Sequence, residues 1–136
     1  MIDPSSFLQS PQGPRYPPEV RALQGYKSRL MEMRHTLLYE VDLRTIKKAD
    51  IDMLERDLRD ILKGVEGFRK MPHLDKYLRS VDGLQANIRN AKNKLYLASD
   101  TLDQRSTIRG RKLFYQQLEE CEQCLFSAIQ QFIIGP

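Results

Sequence analysis

The stretch DIDMLERDLRDILKGVEGF, residues 50–68, decides how the rest of the chain must fold. Its apolar residues Ile51, Leu54, Leu58, Ile61, Val65 and Phe68 recur three and four positions apart, which at 3.6 residues per turn puts them on one face of a helix. The other face is charged. Asp52 stands four before Arg56 and Glu55 four before Arg59, the acid-first order that supports an exposed helical surface. Asp50 is placed to cap the start, where a short side-chain oxygen takes a hydrogen bond from a backbone N–H that the helix leaves unpaired. A helix with one dry face needs cover, so the flanking sequence is expected to supply partner helices.

Upstream, residues 1–18 carry five of the seven prolines and read as an extended arm, either a flexible tail or one that docks through Phe7, Leu8 and Tyr16. Pro17 and Pro18 fall where a first helical turn tolerates proline, and Leu23, Tyr26, Leu30, Met33, Leu37 and Val41 continue at helical spacing. Residues 43–49 lose the periodicity and form a short basic connection. Downstream, the central helix fades at Gly64 and Gly67 and Pro72 breaks it. Leu74, Leu78, Val81, Leu84, Ile88, Ala91 and Leu95 keep an apolar face, but Asp82-Gly83 predicts two shorter helices or a kink there. Residues 99–107 read as a polar loop ending in an N-cap at Ser106 or Thr107. The last helix carries Ile108, Phe114, Leu118, Cys121, Leu125, Ala128 and Phe132 and frays at residues 135–136. No segment alternates apolar and polar over a strand length. The expected fold is all-α: a four- to five-helix bundle over residues 19–134 with short connections and antiparallel neighbours, preceded by the arm.

At 136 residues and 40% hydrophobic content the chain has the size and substance of one domain, and it is also compatible with a fragment of a longer protein. A net charge of +4 is mildly basic, allowing an acidic or nucleic-acid partner without requiring one. Two cysteines make no disulfide framework, and with no apolar run of membrane-spanning length the expectation is an intracellular protein away from membranes. Cys121 and Cys124 form a CxxC, but a zinc site needs four ligands and no second pair exists, so they read as small core residues. His35 and His73 lie in different segments and make no catalytic or metal pair. With no phosphate loop, nucleophile elbow or dinucleotide fingerprint, no enzyme, cofactor or metal is expected. Lys and Arg gather over residues 89–112 (Arg89, Lys92, Lys94, Arg105, Arg109, Arg111, Lys112). That region suits an acidic peptide or phosphate backbone, although nucleic acid is not favoured, since only Tyr96 and Tyr115 could stack on bases.

The order of features from Leu30 onward resembles the TFIIS N-terminal and integrase-binding family of helical domains, in the version that follows PWWP domains in fungal chromatin proteins. Met33-Arg34-His35 resembles its Leu-Arg-His helix, and Asp52-Met53 and Val65-Glu66-Gly67-Phe68 resemble the ends of its next helix. Met71, Tyr77-Leu78-Arg79-Ser80 and Ile108-Arg109-Gly110-Arg111 resemble its later steps. Val81 stands where that family usually has Lys, and the last helix has no tryptophan. Residues 89–92 also faintly resemble the last helix of a BAG domain, without that family's gripping residues in register.

The first resemblance implies a nuclear, non-enzymatic interaction module of chromatin or transcription type. It would bind short, acidic, disordered peptides through the loops at one end of the bundle. On this chain those loops would present Leu43, Ile46, Leu97 and Leu102 as apolar contacts, with Lys47, Lys48 and Arg105 steering acidic residues. The alternatives are a structural subunit whose helices pair with another chain in coiled-coil fashion, and a weak nucleic-acid-binding domain; the oligomeric state is open.

Overall fold

A computed structural model describes residues 17–134. The arm apart from Pro17 and Pro18, the docking of Phe7, Leu8 and Tyr16, and the fraying at 135–136 therefore lie outside the described residues. Four α-helices follow one another: α1 (Pro18–His35), α2 (Lys48–Gly67), α3 (Val81–Thr101) and α4 (Ile108–Ile129). Among the described residues there is no strand, only an isolated antiparallel bridge between Leu78 and Phe132.

Pro18 occupies the first position of α1, where a missing N–H costs nothing, and the Pro17 carbonyl accepts from the N–H groups of Val20 and Arg21. Beyond His35 the helix widens into a π-helical turn, Thr36–Glu40, closed by Val41 N–H donating to the Thr36 carbonyl at 3.0 Å. The next helix starts before Asp50, at Lys48. Asp50 is thus not the N-cap expected of it but the third helical residue, its carboxylate accepting from the Lys47 N–H at 3.1 Å.

Two further expectations are corrected. Residues 75–80 are not helical: a 3-10 turn, Pro72–Leu74, and the Leu78 bridge carry Leu74 and Leu78 into the core. Asp82-Gly83 does not interrupt a helix but opens one. Ser80 Oγ accepts from the Gly83 N–H at 2.9 Å, and Asp82 brings negative charge to the positive end of the helix dipole. At its far end α3 runs through Ser99 to Thr101 instead of yielding to a loop there. A 3-10 turn, Leu102–Gln104, then leads to Thr107, whose Oγ1 accepts from the Gly110 N–H at 3.0 Å and caps α4.

The helices run up, down, up and down in a closed ring. The Tyr26 and Phe68 rings meet edge to face at 5.9 Å between α1 and the end of α2. Arg69 reaches Asp82 and Gln85 across the α2–α3 corner, and Thr101 Oγ1 donates to Gln117 Oε1 at 2.6 Å between α3 and α4. Arg34 Nε on α1 donates to Glu122 Oε1 on α4 at 2.6 Å, which closes the ring. Inside it Leu23, Leu30, Ile51, Leu58, Leu84, Ile88, Leu95, Phe114 and Leu125 are fully buried. At about 25 cal/mol per Å2, the apolar surface they withdraw from water is the main stabilising contribution. Ile108, expected on this stripe, is 82% exposed because it is the first residue of α4 and projects past the core.

Candidate functional site

This ring brings the α1–α2 connection (residues 41–47) and the α3–α4 connection (residues 102–107) to one end of the bundle. Arg105 ties them together: its Nη1 donates to the Leu43 carbonyl at 3.0 Å and its Nε to the Leu102 carbonyl at 2.9 Å, while the guanidinium lies over the Phe114 ring at 5.3 Å. Asp52 links the helices behind them, receiving Lys48 Nζ at 3.0 Å and the Ser99 hydroxyl at 3.5 Å.

Placed on this end, the seven sequence-derived contact residues separate. Ile46 and Leu102 are buried and anchor their loops in the core, although Ile46 still forms part of the wall of a cleft at this end. Leu43 is half-buried against that core. Leu97 is exposed, but on the last turns of α3 rather than in a loop. Lys47 is exposed beside the start of α2. Lys48 is exposed and paired; its hydrogen bond with Asp52 holds the ammonium pKa above its ordinary value. Arg105, half-buried, is first of all a brace between loops.

Two clefts flank the brace, and they differ in charge. One, of about 460 Å3, lies between the π-turn and the start of α2, with Val41, Ile46, Met53 and Leu54 supplying apolar wall. Carboxylates of Glu40, Asp42, Asp50 and Asp57 rim it, against the single cation of Lys47. The other, of about 310 Å3, is lined by Arg44, Arg105, Arg111 and Tyr115. Asp42, on the boundary, is held below the usual carboxylate range by the Arg44 backbone N–H, then by its guanidinium.

The basic run over residues 89–112 is split by the fold. Lys94 leaves it to pair with Glu120 on α4, whose carboxyl the ammonium holds low, whereas Arg105 and Arg111 converge on the cleft. Arg44 was the residue that sequence reading did not single out. Its only signal was the basic character of residues 43–49, and its meeting with Arg111 is a product of the tertiary fold.

Elsewhere, His35 packs on Tyr39 with ring centroids 5.0 Å apart, at the opposite end of the bundle from His73. Cys121 is buried, and burial pushes its thiol well above the ordinary range; Cys124 is half-buried and raised for the same reason, against the opposing pull of Lys94. Among the described residues no three His, Cys, Asp or Glu side chains come together as metal ligands, and no helix is long and apolar enough to cross a membrane.

The geometry defines an antiparallel four-helix bundle carrying two clefts of opposite charge at one end. Compared with known proteins, the chain matches no family model, no curated protein and no solved structure.

Proposed function

We propose that the chain is a non-enzymatic protein-interaction module that receives short, acidic peptide segments at the end of the bundle where the α1–α2 and α3–α4 connections meet. The observation that carries this reading is the brace made by Arg105. By tying two loops from opposite sides of the ring, it gives them a fixed shape before a partner arrives, which lowers the ordering cost of binding. Lys47 and the exposed side chain of Leu97 remain contact residues, with half-buried Leu43 between cleft and core. The resemblance of its motif order to that of the TFIIS N-terminal family supports a chromatin- or transcription-associated parent protein and hence a nuclear location.

Titration of the 15N-labelled protein with an acidic peptide containing one Phe tests the reading. The backbone signals expected to move are those of residues 43–48, Leu97 and Arg105. Movement confined to the opposite end, around residues 70–80 and 130–134, overturns it.

A further inference from the structure

We infer that the cleft lined by Arg44, Arg105, Arg111 and Tyr115 binds a phosphate monoester carried by the partner peptide; this rests on the peptide-docking reading above and gives it a chemical specificity. Each guanidinium is held through its Nε: Arg44 by Asp42 Oδ1 at 3.3 Å, Arg105 by the Leu102 carbonyl at 2.9 Å, and Arg111 by the Arg105 carbonyl at 3.1 Å. Anchoring at Nε orients the planar fork while leaving terminal N–H groups for a ligand, Arg105 having given only one of its Nη atoms to Leu43. A phosphate monoester dianion, with three strong acceptor oxygens, matches three such forks better than a single carboxylate does.

Positive charge predominates around this cleft, with Asp42 beside Arg44 as its counter-ion. Arg109, Arg111 and Lys112 crowd the beginning of α4, the positive end of its dipole, where acidic side chains belong, and the first turn has none. Among the described residues no ion pair engages Arg105, Arg109, Arg111 or Lys112. One bound dianion relieves the mutual repulsion.

A nucleic acid also carries phosphate, but it needs a track of cations along its backbone. Here the neighbouring cleft is rimmed by Glu40, Asp42, Asp50 and Asp57, which repel a polyanion extending past a single phosphate. Among the described residues Tyr115 is the only aromatic lining the cleft. An isolated phosphate on a short peptide is the ligand that fits.

Four probes decide the matter on the full chain, followed by fluorescence anisotropy and 15N shifts. They are the acidic Phe-containing peptide with a central serine, the same peptide with phosphoserine, inorganic phosphate, and a single-stranded oligonucleotide. Phosphorylation is expected to tighten binding about tenfold or more, the equivalent of one added charge-assisted contact, and to move signals of Arg44, Arg111 and Tyr115. In the double variant Arg44→Gln/Arg111→Gln the preference for the phosphorylated over the unphosphorylated peptide should vanish, whatever the change in their common affinity. Both side chains are exposed, and an unchanged melting temperature establishes that the fold is intact. Arg44→Lys/Arg111→Lys should recover only part of the gain, because lysine keeps the charge but not the fork. Equal binding of the two peptides at this end overturns the inference and leaves peptide docking standing. Movement only at the far end overturns both. Inorganic phosphate binding as tightly as the phosphopeptide, or the oligonucleotide binding more tightly, overturns the peptide as the source of the phosphate.

Discussion

Gly110 sits in the first turn of α4 with the chain at Gln104 folded across it, so that a methyl group there would lie well inside contact distance of the Gln104 carbonyl. The obstacle is backbone and cannot rotate aside; Gly110→Ala is expected to cost about 1–3 kcal/mol, as overpacking does. Gly25 is its opposite. It lies inside α1 with nothing near the position a methyl would take, so Gly25→Ala should stabilise by about 0.5–1 kcal/mol by reducing the freedom of the unfolded chain. Denaturant unfolding of the two variants checks the opposite signs. Both glycines stand in helical sequence, and nothing in their immediate neighbours separates them. What separates them is a turn from six residues upstream that only the folded chain brings close.

At the scale of elements, two short side chains set where α3 and α4 begin. Removing either acceptor, by Ser80→Ala or Thr107→Ala, is expected to cost about 1 kcal/mol, whereas Ser106→Ala should leave the melting temperature near that of the parent protein. Thermal melts of the three variants give the comparison. These caps also explain which parts of the fold were legible in the sequence. The four helices followed from three-four spacing, because burial rewards that pattern wherever it occurs. Their ends did not. Asp82-Gly83 favours a turn locally, but the Ser80 cap fixes the helix start two residues earlier. Ser99-Asp100-Thr101 is polar enough to read as loop. Its last residue nevertheless stays helical, with the Thr101 hydroxyl held against the Ala98 carbonyl and Gln117 inside the bundle. The π-turn at Thr36–Glu40 leaves no mark on the three-four spacing, which runs through it from Met33 to Leu37 and Val41.

For the whole molecule, the decisive fact is where the apolar stripes go. Leu23, Leu30 and Met33 of α1 and Ile51, Leu58 and Val65 of α2 are buried within one chain, the residues a coiled-coil partner would have needed. Light scattering should therefore report a monomer near 15.9 kDa; an obligate dimer would revive the structural-subunit alternative. The candidate site was legible only in outline. The sequence points to the α1–α2 and α3–α4 connections, which Arg105 ties together at one end of the bundle, but the apolar character of Ile46 and Leu102 does not tell that both are buried. Arg44 and Arg111 lie 67 positions apart in the chain, a separation that no local pattern spans.

The unlike clefts on either side of Arg105 make that end of the bundle behave as a small electric dipole. A charged segment drifting in from solution would feel a torque there before any atom touched. With ions screening beyond about 8 Å at physiological strength, the torque acts only in the last stage of approach. A segment with negative charge towards one terminus and positive charge towards the other would be turned to lie in one chain direction, and reversing its sequence would slow its capture.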